Sequence, residues 1–346
     1  MKPGCYTALI TPFSDSGDEV DRRGIQKLVD FQTSQGIDGI LAVGTTGESP
    51  VLTWDEHHAV METIIAEAKG KCLRLAGTGS NNYKEAMAAS EHAAKTGADG
   101  ILMVDPYYNG PSSLEIRREY ISPIARALPD VWVIPYVIPG RTGAQLFPED
   151  LAMLNDAFEN LNSVKEATCD PENMKKTRSL CGPDFVIMSG DDPMTFEMMA
   201  DPEIKAGGAI SVTSNIAPAA CAEMVRLLNA GETEKARSLN EALSPLFSIV
   251  TVKTREKTPF GEVECRARNP LAFKTAMRIL GMPCGPCRQP LGKMTRKGLE
   301  TVIGALKTVQ AKNPEIIMPV SEFFGVDIDA RLEDLSVLEG LCYDEY

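Results

Sequence analysis

A lysine in a short strand-like segment is the feature of this 346-residue sequence best suited to chemistry. Lys165 lies within the run Ser163-Val164-Lys165-Glu166-Ala167-Thr168. An amine shielded from water loses its proton more easily and becomes a nucleophile toward carbonyl carbon. Because most lysines simply lie at the surface, its interpretation depends on which other residues accompany it.

Other polar residues follow the predicted strands of the chain at the points where those strands end. These segments are Gly44 to Ser49, Gly77 to Gly79, Pro106 to Asn109, Tyr136 with Arg141, Ser189 to Asp192 and Ser211 to Thr213. Taken singly, each can cap a helix or pack at an interface. Together they offer one amine, several hydroxyls and one arginine without a histidine base, a set that suits Schiff-base catalysis on a keto acid. The Tyr136 phenol can move protons, while Thr45 and Thr46 can hold a carboxylate.

The alternation of elements predicts how these segments meet. Eight short apolar runs of β type are separated by segments with helical periodicity. They are Tyr6 to Ile10, Gly39 to Val43, Leu73 to Ala76, Gly100 to Val104, Val131 to Tyr136, Ser163 to Glu166, Phe185 to Met188 and Ala209 to Val212. Eight βα units predict an α/β fold of the (β/α)8 TIM-barrel type, whose chemistry lies at the carboxyl ends of the strands. A doubly wound sheet is the competing fold, but the chain lacks both glycine-rich nucleotide motifs that such sheets usually carry.

Composition limits the classes of partner. The formal charge is −13, which disfavours nucleic acid and anionic membranes, and no run of apolar residues is long enough to span a bilayer. The amino terminus lacks a signal-peptide pattern, so we expect a cytoplasmic protein. Nine dispersed cysteines favour reduced thiols, and Cys284-Gly285-Pro286-Cys287 is interpreted as a loop with incidental thiols. Three histidines, His57, His58 and His92, offer no credible metal site.

Four motifs make the chain resemble the dihydrodipicolinate synthase and N-acetylneuraminate lyase family of pyruvate-dependent class I aldolases. They are Gly44-Thr45-Thr46-Gly47-Glu48, Pro106-Tyr107-Tyr108-Asn109, Tyr136 with Arg141-Thr142-Gly143, and Val164-Lys165-Glu166-Ala167-Thr168. The resemblance covers about Lys2 to Lys312. It implies that Lys165 forms an imine with pyruvate and that no cofactor is needed. It also implies a proton relay made by Tyr136, Thr45 and Tyr108, the last from a neighbouring subunit. The implied pyruvate site comprises Thr46, Gly190 and the Ile210 carbonyl.

In the family that the chain resembles, residues at the pocket mouth select the acceptor aldehyde. Arg141 looks like the arginine that binds the carboxylate of L-aspartate 4-semialdehyde in the lysine-biosynthetic members, and a guanidinium can grip a carboxylate with two hydrogen bonds. Val137, however, stands where the family usually has asparagine. A 2-keto-3-deoxy sugar acid aldolase therefore remains an alternative, as does a catalytically silent binder of keto or amino acids. A metal-dependent aldolase is a third alternative.

A lysine-binding regulatory site is also implied by the resemblance. Its matching positions are Ser49, Pro50, Leu52, Trp54, His57, Asn81, Glu85 and Tyr107. Glu85 could pair with an ammonium group and Asn81 could bind a carboxylate, while Trp54 could cover the aliphatic stem. An ordinary polar helix face explains these residues equally well.

Three regions are expected along the chain: a catalytic barrel over 1–229, a helical domain over 230–312 and a tail extension over 313–346. The helical region is expected to support a homo-oligomer, either a dimer or a homotetramer. The stretch from Thr251 to Asn269 is longer than the family's usual connection and is interpreted as a surface loop. The tail mixes apolar and acidic residues, so we expect it to dock on its own or a neighbouring subunit.

Overall fold

The computed structural model describes residues 1–346, and its centre is a closed barrel of eight parallel strands in sequential order. The strands are β1 Gly4–Ala8, β2 Gly39–Ala42, β3 Leu73–Gly77, β4 Gly100–Val104, β5 Trp132–Val137, β6 Ser163–Glu166, β7 Val186–Ser189 and β8 Gly208–Ser211. Each predicted apolar run overlaps one strand, with ends that differ by a few residues. The predicted (β/α)8 barrel is confirmed.

Helices surround the barrel and continue beyond it. They are α1 Arg22–Ser34, α2 Trp54–Ala68, α3 Tyr83–Thr96, α4 Ser113–Glu115, α5 Ser122–Ala127, α6 Pro139–Thr142, α7 Pro148–Ala157, α8 Pro171–Cys181, α9 Thr195–Ala200, α10 Pro218–Asn229, α11 Thr233–Phe247, α12 Leu271–Ile279, α13 Arg296–Lys312, α14 Met318–Phe324 and α15 Ile328–Glu333. The predicted capping box opens α2, where Thr53 accepts from the Glu56 amide and Glu56 accepts from the Thr53 amide. No helix is both long and apolar enough to cross a bilayer.

Alternation along the strands separates an inner from an outer core. Side chains such as Leu41, Leu75 and Met188 fill the barrel interior, whereas Ile40 and Ile187 pack outward against the helices. The inner layers are too full to hold a ligand. Polar side chains can therefore converge only above them, at the carboxyl ends of the strands.

The interpretation of Thr251 to Asn269 as a loop is wrong. The structure has a β-hairpin there, with β9 Thr251–Thr258 antiparallel to β10 Gly261–Arg268 and every residue of each strand paired. At the turn the Thr258 hydroxyl accepts from the Phe260 amide at 3.1 Å and donates to the Gly261 carbonyl at 2.8 Å. From Glu262 to Arg268 the sequence alternates charged residues with Val263, Cys265 and Ala267, a period-two strand pattern that the interpretation as a loop overlooked.

The tail docks on its own chain, one of the two arrangements expected for it. The rings of Phe323 and Phe324 lie 5.3 and 5.2 Å from that of Phe31 in α1. Arg331 donates to the carbonyls of Ile279 and Arg278 at 2.7 and 2.9 Å. These contacts join α14 and α15 to the body of the molecule. The division into regions at residues 229 and 312 remains a prediction.

A buried ion pair joins the loop after β2 to α12. Lys274 Nζ lies 2.7 Å from Glu48 Oε1 and also donates to the carbonyls of Thr11 and Pro286, and both charged side chains are 1% exposed. Removing one partner leaves the other charge buried without compensation. We expect Lys274→Met, which preserves side-chain volume, to lower the free energy of unfolding by about 3–5 kcal/mol in urea titrations.

An exposed pair supplies the matched control for that prediction. Lys307 lies 3.0 Å from Glu333, and the two side chains are 45% and 78% exposed. Lys307→Met should cost less than about 1 kcal/mol because water screens such pairs. Equal losses in the two variants would contradict the stabilising role of the buried pair.

Candidate active site

Lys165 lies near the carboxyl end of β6 and points into the barrel mouth. It is in register with Tyr136 of the adjacent strand β5, so both side chains project from the same face of the sheet. Its Nζ lies 4.3 Å from the centroid of the Tyr136 ring. Lys165 and Tyr136 are each only 5% exposed. The lysine is therefore a buried amine beside a phenol, as the nucleophile of a carbonyl reaction requires.

Burial sets the ionisation of both groups. It lowers the pKa of Lys165 to about 8, with a further lowering by Arg141 and an opposing effect from Asp192. Burial also raises the pKa of Tyr136 to about 12, although Arg141 and a hydrogen bond with the Thr45 side chain oppose this shift. The site thus holds an amine that is about half deprotonated at pH 8, next to a protonated phenol.

The shifted pKa of Lys165 predicts the pH dependence of imine formation. Only the neutral amine attacks a carbonyl, so the rate should rise about tenfold per pH unit below pH 8 and level off above it. A lysine with the ordinary pKa would keep gaining up to about pH 10.4. Rapid-quench borohydride trapping with pyruvate between pH 6 and 10 measures this. A rate still climbing at pH 10 would contradict the lowered pKa.

A chain of hydrogen bonds connects the glycine-threonine loop after β2 to the arginine after β5. Asn269 Nδ2 donates to Thr46 Oγ1 at 2.9 Å, and Arg141 Nη2 donates to the Asn269 carbonyl at 3.1 Å. The sequence interpretation missed Asn269 because it lies more than a hundred residues from either partner. Its position orients Thr46 and Arg141 on one wall of the mouth.

Gly190 leaves room for the lysine side chain. A β-carbon at this position would lie 3.0 Å from Lys165 Cε, 3.1 Å from Lys165 Cγ and 3.0 Å from the Ala167 methyl group. The Gly190 amide donates to the Glu166 carbonyl at 2.8 Å, which holds the loop after β7 beside β6. The glycine is therefore required by close approach rather than by an unusual backbone angle.

These residues line a cavity of about 170 Å3. Its wall comprises Thr45, Thr46, Tyr136, Ile138, Gly140, Arg141, Lys165, Ala167, Cys169, Gly190, Asp191, Asp192, Val212, Val250, Thr251, Arg266, Arg268 and Asn269. Most of the predicted substrate residues are thus together. The cavity brings the Lys165 amine, the Tyr136 phenol and the Arg141 guanidinium to one space. Its wall also includes residues of the hairpin, which the sequence interpretation had placed away from the site.

Two aspartates after β7 serve different local purposes. Asp192 is buried and accepts hydrogen bonds from the amides of Val212 and Thr213 at 2.9 and 2.8 Å, and from the Thr213 hydroxyl at 2.9 Å. It therefore fixes the loop after β8 against β7. Asp191 instead accepts from the Cys169 thiol at 3.2 Å. The sequence predicted that this pair of aspartates follows a strand at the barrel mouth, where it could also begin a helix.

Two predicted site residues do not line the cavity. Tyr108 is 92% exposed and its φ of 73° is a left-handed conformation that non-glycine residues seldom adopt. Ile210 is buried in β8, where its side chain belongs to the inner core of the barrel. In the single chain, the relay therefore lacks Tyr108.

A second cavity of about 200 Å3 adjoins the first, and Thr45 and Tyr136 line both. Six of the residues predicted for lysine binding line it, namely Ser49, Pro50, Leu52, Trp54, Glu85 and Tyr107. His57 and Asn81 do not line the cavity. His57 nevertheless contacts its wall, because His57 Nε2 lies 3.1 Å from Ser49 Oγ. Burial lowers the pKa of His57 to about 4, so this ring is neutral near pH 7.

Comparison with known proteins assigns the chain to a family. The family model described as the dihydrodipicolinate synthetase family matches residues 1–309. The chain belongs to this family. Its amino-terminal 309 residues carry the barrel, the hairpin, α12 and most of α13, whereas the whole tail over 313–346 lies beyond the match.

The chain aligns with its relatives in the dihydrodipicolinate synthetase family over nearly the whole length of each relative. A 4-hydroxy-tetrahydrodipicolinate synthase of Methanococcus maripaludis is 35% identical over 306 residues, which cover 88% of this chain and 98% of the relative. The Acinetobacter baumannii dihydrodipicolinate synthase solved with pyruvate is 33% identical, with a TM-score of 0.80 over 89% of this chain and 99% of that one. The Cyanidioschyzon merolae enzyme solved with lysine bound has 33% identity and a TM-score of 0.80 over 89% of this chain and 98% of that one. The chain is accordingly an enzyme of the lyase class.

Proposed function

We propose that this enzyme condenses pyruvate with L-aspartate 4-semialdehyde to give 4-hydroxy-tetrahydrodipicolinate, a step of lysine biosynthesis, through an imine on Lys165. The observation that carries the proposal is the buried Lys165 amine, with a pKa of about 8, beside the Tyr136 phenol. The synthase names of the similar proteins and the pyruvate held by one of them support it.

The first half of the proposed reaction prepares a nucleophile. The hydroxyls of Thr45 and Thr46 hold the pyruvate carboxylate while the neutral Lys165 amine attacks the keto carbon. Water leaves as the imine forms, and Tyr136 delivers and recovers the protons with help from Thr45. Loss of a proton from the pyruvate methyl group then gives an enamine, whose carbon attacks acceptors.

The second half joins the two substrates and releases the enzyme. The enamine carbon attacks the aldehyde carbon of the semialdehyde, whose oxygen takes a proton through the relay. The amino group of the acceptor then adds to the imine carbon and displaces the Lys165 nitrogen, which closes the ring and frees the enzyme. Arg141, whose guanidinium lines the cavity, binds the acceptor carboxylate in this scheme.

Val137 gives little support to the sugar-acid alternative. Tyr136 points into the barrel, so its neighbour Val137 points outward, where it is 1% exposed within the outer core. Val137 does not line the catalytic cavity. The departure from the family pattern at this position therefore does not change the surface that meets the acceptor.

The test is a coupled assay. Purified enzyme receives pyruvate and aspartate 4-semialdehyde, and an added dihydrodipicolinate reductase consumes reduced nicotinamide cofactor as product forms. Turnover is expected. If pyruvate can be trapped on Lys165 with borohydride but no cofactor is consumed, the enzyme uses another acceptor. If nothing is trapped, the chain is a binder rather than an aldolase.

We further propose that the second cavity binds lysine as an inhibitor and that Tyr108 completes the relay of a neighbouring subunit. The exposed position of Tyr108 suits a residue that reaches across an interface. The lysine bound by the Cyanidioschyzon merolae relative, and the two residues that line both cavities, support lysine binding in the second cavity. An effector in the second cavity contacts Tyr136 and Thr45, which also line the catalytic cavity, and can therefore alter the proton relay directly.

Glu85 tests the regulatory site. It lines the second cavity and accepts from the Ser80 hydroxyl at 2.7 Å. We expect Glu85→Gln to raise the lysine concentration for half inhibition about tenfold or more, because a charge-assisted hydrogen bond is lost. Glu91→Gln, an exposed change on the same helix, is the control. Wild-type turnover that ignores saturating lysine would remove this proposal and leave the catalytic one intact.

A further inference from the structure

The β9–β10 hairpin presents two different faces. Residues directly opposite each other in an antiparallel pair share a face, as do alternate residues of one strand. On one face, Thr254 Oγ1 lies 3.2 Å from Thr295 Oγ1 and Glu256 lies 3.5 Å from Lys297, so this face rests on the start of α13. The opposite face includes Thr251, Arg266 and Arg268, which line the catalytic cavity.

The face toward the cavity is cationic, and its charges are unevenly distributed. Near the turn, Glu262 lies opposite Lys257 and Glu264 opposite Arg255, so positive and negative charges alternate across the strands. Near the barrel, Arg266 lies opposite Lys253 and Arg268 opposite Thr251. The half of the face that reaches the catalytic cavity therefore has positive charge and no acidic residue of its own.

The positive charges on the half of the face near the barrel repel one another, which lowers stability unless an anion binds between them. Like charges placed directly opposite across strands are unfavourable, as for Arg266 and Lys253. Burial lowers the pKa of the Arg141 guanidinium, Tyr136 opposes this shift, and Arg268 and Arg266 lower the pKa further. The ion pairs that arginine makes in this chain all lie elsewhere, and none involves these three residues.

No carboxylate of the cavity forms an ion pair with these arginines. Asp192 accepts from amides of the loop after β8, and Asp191 accepts from the Cys169 thiol. Arg268 donates one hydrogen bond to the Gly140 carbonyl at 3.1 Å, which holds the turn that carries Arg141. The guanidinium of Arg266 is exposed, lines the cavity and makes no hydrogen bond to the protein, so its donors are free to bind a ligand.

We propose that Arg266 and Arg268 form a carboxylate-binding subsite at the mouth of the cavity, where they act with Arg141 on the carboxylate end of the acceptor. Pyruvate is held deeper, at Lys165 and the threonines, so the subsite concerns the second substrate. The identity of that substrate rests on the proposed function, whereas the subsite itself does not. The hairpin is thus part of the substrate site.

Arg266→Gln is the decisive variant because it removes a charge that has no structural partner. We expect the KM for aspartate 4-semialdehyde to rise about tenfold or more, since a charge-assisted hydrogen bond is lost, while pyruvate trapping on Lys165 stays at the wild-type rate. The thermal midpoint should stay equal or rise, because the repulsion from Lys253 is relieved. Arg255→Gln, on the same face but opposite Glu264 near the turn, should leave KM unchanged.

A binding measurement keeps the test independent of the acceptor's identity. Calorimetry of succinate binding to the pyruvate-loaded enzyme should show a dissociation constant about tenfold or more weaker in Arg266→Gln than in the wild type. If aspartate 4-semialdehyde is not turned over by any protein but succinate binding weakens as stated, the proposed acceptor is wrong and the subsite stands. Equal succinate affinity in the two proteins, or no binding to the wild type, would overturn the subsite.

Discussion

Lys165→Ala is expected to lower kcat/KM by about a thousandfold or more and to abolish borohydride trapping of pyruvate. Lys165 lines the cavity near the end of its strand, and burial lowers the pKa of its amine to about 8, so part of it is an unprotonated nucleophile near neutral pH. Without it the imine cannot form, and the threonines and Arg141 can only bind substrates. Mass spectrometry of the trapped adduct together with the coupled assay measures both effects.

Two further variants show whether the loss comes from the nucleophile itself. Lys165→Arg retains a positive charge but has no amine that can form an imine, so it should be as inactive as the alanine variant. Lys27→Ala, an exposed change on α1, should retain full activity and trapping. Trapping of pyruvate on Lys165→Ala would show that the reactive lysine lies elsewhere and would refute the proposed mechanism.

Tyr136→Phe is expected to lower kcat by about a hundredfold to ten-thousandfold, the usual contribution of a positioned acid–base group. The phenylalanine keeps the ring that lies 4.3 Å from Lys165 Nζ and removes only the hydroxyl. Pyruvate should therefore still be trapped on Lys165, but more slowly. Stopped-flow imine formation and steady-state turnover separate these two effects.

Tyr346→Phe is the control for this change, because Tyr346 is 68% exposed at the end of the chain. It should behave as the wild type in both assays. If Tyr136→Phe turned over at the wild-type rate, the phenol would have no part in proton transfer. The relay would then have to be assigned to Thr45 or to water.

Local patterns in the sequence identified the parts of the site that lie within single βα units. Lys165 lies near the end of one strand run and Gly190 directly follows another. Eight such runs indicate a barrel whose strand ends converge. The same patterns could not find Asn269, Arg266 or Arg268. Arg266 and Arg268 belong to a hairpin, and Asn269 directly follows it. The alternation of charged and apolar residues indicates the strand β10, but the order of residues does not show that its charged face meets the cavity.

Hydrophobic periodicity and short motifs are properties of contiguous residues, so the order of residues was enough to predict the barrel, the family and Lys165 as the reactive lysine. Only the tertiary structure decided the pKa of Lys165, the outward direction of Val137 and the place of the hairpin against the cavity. Burial and electrostatic interactions depend on distances between residues far apart in the chain. The order of residues does not specify these distances directly, and folding brings Arg266 and Arg268 beside Arg141.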